Sequence, residues 1–114
     1  MNLVAGIDAG TQSVKLVVYD PAARCVVAQA ACPLELAGGE DGSREQHPSA
    51  WVEAVRECFS GIELAVRQGI GALGVSGQQH GFVPLAADGS VLAPAKLWND
   101  TSSAAECAAV RSEE

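Results

Sequence analysis

Gly6-Ile7-Asp8-Ala9-Gly10-Thr11-Gln12-Ser13-Val14-Lys15 lies across two short apolar runs, Leu3 to Ile7 and Val14 to Tyr19, with a polar turn between them. The second run is rich in β-branched residues, and a polar turn between two such runs is the pattern of an antiparallel hairpin. Asp8 ends the first strand, and a Gly, a Thr and a Ser lead into the second. Gly10 lets the backbone come close to a ligand, and the N–H groups of Gly10, Thr11 and Gln12 can converge on phosphate oxygens. The hydroxyls of Thr11 and Ser13 add donors, Lys15 adds charge, and Asp8 can hold a magnesium ion through water. The hairpin thus has the chemistry of a phosphate grip. An ordinary β-turn uses the same Asp and Gly, and these residues alone leave both readings open. Neither G-x-x-x-x-G-K-[ST] nor G-x-G-x-x-G is present. Asp8-Ala9-Gly10 also departs from the Asp-Thr-Gly of an aspartic-protease half-site, whose chemistry needs a second aspartate sharing the proton.

Working outward, Asp20-Pro21-Ala22-Ala23-Arg24 is a turn, with Pro21 supplying a pre-set φ, and Cys25 to Ala31 is a third strand. The three strands are expected to form an antiparallel meander. Leu34 to His47 includes Gly38-Gly39-Glu40-Asp41-Gly42-Ser43, has neither period nor apolar density, and reads as a solvated connector. Trp51, Val55, Phe59, Ile62 and Val66 recur at spacings of three and four and predict one helix, opened near Pro48, closed at Gly69 and packed on the meander. Trp51 and Phe59 are assigned to the core.

Gly71 to Ser76 reads as a strand buried on both faces, as strands reached through a helical crossover usually are. Phe82 to Leu85 and Val91 to Leu92 flank a turn at Asp88-Gly89, a dipeptide that favours positive φ. Ser103-Ala104-Ala105-Glu106 has the form of a capping box and predicts a helix running through Val110. A helix at that point ordinarily covers a further strand, and none follows in the sequence.

Two later segments carry recognition chemistry. Gln79-His80 follows the fourth strand, at the end where open α/β sheets bind ligands. An amide beside an imidazole offers the paired donors and acceptors a polyol requires, although a loop histidine satisfied by backbone fits the same residues. In Leu97-Trp98-Asn99-Asp100, the Trp98 face can pack against a sugar while Asn99 bonds a hydroxyl. A core tryptophan followed by a helix-initiating polar pair is the alternative, and Asp100 suits the approach to a helix.

The 114 residues are 48% apolar, and 14 acidic against 7 basic residues give a net charge of -7. That length allows one compact domain or part of a larger one. The acidity argues against nucleic acid as a partner but not against ATP, whose phosphates can meet local backbone N–H groups and a divalent cation. Cys25, Cys32, Cys58 and Cys107 show no metal-ligand spacing and are expected to be reduced and mostly buried. The N-terminus lacks the pattern of a secretory signal, and no run approaches the ~18 apolar residues of a membrane span. A cytoplasmic location without membrane attachment is the expectation.

The opening hairpin resembles the phosphate-binding segment of the sugar-kinase, actin and heat-shock-chaperone ATPase superfamily. Gly77-Gln78-Gln79-His80-Gly81 and Leu97-Trp98-Asn99-Asp100 resemble the xylulokinase branch of the FGGY carbohydrate kinases. The three segments fit in order and spacing over essentially the whole chain, and their combination is what makes the likeness specific. It implies an α/β, ribonuclease H-like (actin-like ATPase) fold, with residues 1–114 as an N-terminal part of the first kinase lobe and the second lobe absent. It further implies phosphorylation of D-xylulose to xylulose 5-phosphate with ATP and Mg2+ as cofactors. By the same likeness Gly10, Thr11, Gln12, Ser13 and Lys15 bind ATP, Asp8 serves the metal, and Gln79, His80, Trp98 and Asn99 bind the sugar. Many members carry Met where this chain has Gln79. The family's general base is an aspartate much further along a longer chain, so no catalytic residue is expected in this segment, which should be inactive alone. Removal of a lobe would also expose apolar surface and favour self-association. A kinase for another sugar or polyol and a non-catalytic nucleotide-binding module are the alternatives.

Overall fold

Alternation of apolar residues decides the main sheet. In β1 (Leu3–Ala9) and β2 (Ser13–Asp20), Leu3, Ala5, Ile7, Val14, Leu16 and Val18 are all buried, while the residues between them face the other way. A strand sends successive side chains to opposite faces, so this pattern commits one face to a core and leaves the other open. The computed structural model describes residues 2–78 and 81–112. They belong to two compact units, Met1–Glu35 with Ser49–Gln78 and Leu36–Pro48 with Gln79–Glu114.

In the first unit, β3 (Cys25–Pro33) and β6 (Ile70–Gly77) complete a sheet of order β3-β2-β1-β6, antiparallel except for β1 against β6. The expected meander is therefore present. The turn from β2 to β3 is built by Asp20, whose Oδ1 accepts the amides of Ala22 and Ala23 at 2.9 and 3.2 Å, while Arg24 takes a φ of 58°. Helix α1 (Pro48–Ser60) begins at the expected proline and lays Ala54 and Cys58, with Ile62 beyond it, on the buried face of β1 and β2.

The predicted stripe is displaced by one position over α1 and coincides with the core at Ile62. Its centre is Ala54, Cys58 and Ile62; Val55 and Phe59 pack at the margin, and Trp51 is half-buried outside the core cluster. Small residues on the contact line allow close approach to the sheet, with Cys58 Sγ 3.5 Å from the Val14 carbonyl oxygen. The expected single helix is in fact two. Gly61, whose amide is shared between the carbonyls of Glu57 and Cys58, ends α1, and a short α2 (Leu64–Gln68) follows. A glycine interior to a helix costs about 1 kcal/mol relative to alanine, which favours a break there. Gly69 closes α2 as expected, but in a right-handed conformation; a Cβ there would lie 3.2 Å from Leu3 Cδ1 and press on that buried side chain.

Strand β6 is not buried on both faces. It pairs with β1 and forms the sheet edge, and all its residues except Ile70 are exposed. Leu73 and Val75 pair with the buried Ala5 and Ile7, so they share the core-side face, yet they stand 54% and 68% exposed.

In the second unit the predicted connector contains strands. β4 (Ala37–Gly38), β5 (Arg44–Gln46) and β7 (Ala95–Lys96) form a small antiparallel sheet in that order. Its pairing partner β7 is some fifty positions away, beyond the reach of any local pattern; Gln46, Ala95 and Leu97 are buried. The flanks of Asp88-Gly89 make isolated bridges, Leu85 with Val91 and Phe82 with Lys96, instead of continuous strands. Helix α3 (Ala104–Ser112) begins where Ser103 predicts, and none of its residues is buried. Of the four free cysteines only Cys58 is buried; Cys32 is half-buried, and Cys25 and Cys107 are exposed. Among the described residues no helix is long and apolar enough to cross a membrane.

Candidate functional site

In the first unit, Asp8 lies on the open face of the sheet, directly opposite Lys15 on one neighbour and Ser76 on the other. A lateral row of ammonium, carboxylate and hydroxyl thus crosses three strands. These residues line a concavity of about 540 Å³ with Gly6, Ile7, Val17, Gly74 and Val75. Gly6 and Gly74 are paired in register, and a Cβ on either would meet nothing within 4 Å. Packing inside this unit does not demand those two glycines; their effect is a bare backbone floor beside Asp8.

The turn at 10–12 is held from three sides. The Gly10 amide donates to the Ser13 carbonyl at 3.0 Å, Leu34 N–H donates to the Gln12 carbonyl at 2.8 Å, and Gln78 Nε2 donates to the Gly10 carbonyl at 3.2 Å. The first bond corrects one expectation: the Gly10 N–H closes the hairpin and is not directed at a ligand. A Cβ at Gly10 would stand 3.3 Å from the Ser13 carbonyl oxygen, so a side chain there would press on the hairpin's own backbone. The sequence motif Gly77-Gln78-Gln79-His80-Gly81 does not by itself assign Gln78 this role. Parallel pairing of β1 and β6 brings both strand ends together, and that rule could have flagged the amide that follows β6.

Among the described residues no three His, Cys, Asp or Glu side chains cluster as a metal cage. Asp8 is a lone carboxylate on an open face with hydroxyl and ammonium neighbours. Such a donor set fits a magnesium ion that keeps its waters and is bound mainly by phosphate oxygens, which is how that ion is ordinarily held.

In the second unit, Trp98 and Asn99 are the two corner residues of a turn. The Asp100 amide donates to the Leu97 carbonyl at 3.0 Å, and Leu97 is buried. Trp98 is 61% exposed and so lies outside the core of this unit. Asn99 Oδ1 is shielded from solvent without a hydrogen-bond partner among the described residues. Asp100, whose side chain is 4% exposed, accepts the Arg44 amide at 2.7 Å through Oδ2, and the Ser102 amide and hydroxyl at 2.9 and 2.6 Å through Oδ1. Those hydrogen bonds, led by the Ser102 hydroxyl and with Lys96 Nζ 3.7 Å away, lower its pKa to about 2. The Lys96 ammonium is in turn held above its ordinary value, chiefly by its bond to Glu45 at 3.2 Å. Gln79 and His80 lie outside the described residues.

Residues 3–114 match the N-terminal domain of the FGGY family of carbohydrate kinases. The chain is 43% identical over 102 residues to a xylulose kinase of Streptomyces coelicolor, covering 90% of this chain and 21% of that protein. A xylulose kinase of an Arthrobacter species is 39% identical over 104 residues, covering 91% of this chain and 100% of that sequence. The crystal structure of a "xyloylose kinase" from Brucella ovis superposes with a TM-score of 0.87 at 34% identity, over 98% of this chain and 24% of that one. The chain therefore spans about a fifth of the length of the first of these relatives and a quarter of the solved structure. The fold is that of the actin-like ATPases, and the chain belongs to the FGGY family of carbohydrate kinases.

Proposed function

We propose that this chain is the N-terminal part of the first lobe of an ATP-dependent D-xylulose kinase, supplying the phosphate-binding hairpin and part of the sugar site, and that it acts in the cytoplasm. The observation that carries the reading is the row Lys15, Asp8 and Ser76 beside a turn tied down by Gln78. Membership of a carbohydrate-kinase family supports it, as does the name xylulose kinase borne by the relatives.

ATP with its magnesium ion would bring the transferable phosphoryl group and the cation that offsets its charge. In this reading Thr11 and Ser13 donate hydroxyl hydrogen bonds to phosphate oxygens, the Gln12 backbone N–H adds a donor, and Lys15 neutralises charge. Gly10 shapes the turn and Asp8 accepts hydrogen bonds from the water shell of the metal. His80 and Gln79 pair with sugar hydroxyls, Asn99 bonds another, and Trp98 shields one face of the sugar from water. The general base lies outside this segment, so positioning is its contribution and turnover is not.

A thermal-shift titration of the chain tests this directly. Mg·ATP should raise the midpoint by mass action, since it binds the folded state, and Asp8→Asn should abolish most of the rise. Incubation of the same chain with ATP, magnesium and D-xylulose should give no xylulose 5-phosphate. A flat titration of the parent would overturn the phosphate grip; sugar phosphate in the incubation would overturn the inactivity.

A further inference from the structure

Trp98 and Asn99 sit at the corner of a turn whose two ends close on the backbone of a single residue, Arg44. Arg44 of β5 accepts the Leu97 amide on its carbonyl at 2.9 Å and donates its own N–H to Asp100 Oδ2 at 2.7 Å. The turn is closed internally by Asp100 N–H to Leu97 O. Asp100 Oδ1 then fixes Ser102 through two further bonds. One nearly buried carboxylate therefore joins the strand, the turn and the approach to α3.

A comparison within the same chain shows what is special here. Asp88 makes the same local pair of bonds to the amide and hydroxyl of Ser90, at 3.0 and 2.7 Å, and among the described residues its side chain bonds nothing further along the chain. Asp100 adds a tertiary bond to a strand 56 positions earlier. Local turn chemistry would be satisfied without it. The extra bond ties the turn that carries Trp98 and Asn99 to β5.

We propose that Asp100 is a positioning residue for the sugar: it touches no substrate, and it sets the presentation of Trp98 and Asn99 by clamping their turn to the Arg44 backbone N–H. This rests on the reading of Trp98 and Asn99 as sugar-binding residues. A misplacement of about 1 Å at such a site can cost up to 100-fold in rate, so the effect should be measurable.

The test is steady-state kinetics of the complete kinase containing this segment, with Trp98→Ala, Asp100→Ala, Asp100→Asn and Asp88→Ala. Asp100→Ala should raise the KM for D-xylulose roughly tenfold or more while the KM for ATP changes less than about twofold. Asp100→Asn, which keeps shape and one acceptor, should fall between it and the parent and serves if the alanine variant does not fold. Asp88→Ala should leave both KM values unchanged. The clamp is overturned if Trp98→Ala raises the xylulose KM but neither Asp100 variant does, or if the Asp100 variants raise both KM values together as a general loss of structure would. If Trp98→Ala itself leaves the xylulose KM unchanged, the sugar-site reading fails and the clamp falls with it.

Discussion

Asp100 was legible from the sequence only as a residue near a helix start. Its bond to the Arg44 amide spans 56 positions, and no local pattern contains that information. The consequence for stability has a definite sign. The folded-state pKa is lowered from 3.8 to about 2 by the Ser102 and Arg44 hydrogen bonds, so the charged form is favoured by folding. Its contribution is complete above the ordinary value and is lost as pH falls from about 4 to about 2. Asp41 and Asp88 are lowered as well, by bonds to Ser43 and Ser90, so the parent's acid sensitivity has several sources. The difference in urea midpoint between the parent and Asp100→Asn isolates this one. It should be constant at pH 5 and above and shrink toward zero near pH 2; a difference that does not change across that range would contradict the assignment. Asp8 offers the opposite case. Strand alternation alone puts residue 8 on the face opposite Ile7 and Ala5, so its placement is a local matter.

The elements show where sequence patterns succeed and where they run short. The meander and its core were readable because β1 and β2 alternate strictly, and the α1 stripe missed by one position because Ala54 and Cys58 are too small to stand out beside Val55 and Phe59. The connector is more instructive. Asp88-Gly89-Ser90 reads as a turn between apolar flanks, and Asp41-Gly42-Ser43 carries the same three residues. Both form the same structure. Gly42 and Gly89 each have φ of 86°, each donates to the carbonyl three residues back, and Asp41 and Asp88 each accept the following Ser amide at 3.0 Å. Asp41-Gly42-Ser43 does not stand out in the sequence because its flanks, Ala37 to Gly39 and Arg44 to Gln46, lack apolar alternation. The two glycines differ in surroundings: a Cβ at Gly89 meets nothing within 4 Å, whereas one at Gly42 would collide with Thr101 Oγ1, and the Gly42 carbonyl accepts the Thr101 amide at 2.9 Å. Gly89→Ala should cost the left-handed conformation alone, about 1–2 kcal/mol. Gly42→Ala should cost that and the collision, so it should exceed the Gly89 value by about 1 kcal/mol or more in chemical denaturation. Equal losses would mean that Thr101 moves aside freely.

For the whole molecule the deciding balance is between apolar exposure and charge. Strand β6 presents Leu73 and Val75 beside the buried Ala5 and Ile7, on the edge of the sheet and uncovered, while Val4, Val17 and Tyr19 are exposed on the other face. An exposed, apolar edge strand is a template for pairing with a second chain. A net charge of -7 opposes that contact over a range set by ionic strength, about 10 Å at 0.1 M salt. We expect the chain to self-associate, with a light-scattering mass that rises with protein concentration and rises further with added salt as the repulsion is screened. Leu73→Lys and Val75→Lys together separate the two forces. They bring the net charge closer to zero, which by itself favours association, and they place cations on the edge strand, which disfavours strand pairing. If the apolar edge governs, the double variant is monomeric where the parent is not, despite its smaller charge. If charge governs, the variant associates more than the parent, and the edge strand is not the contact.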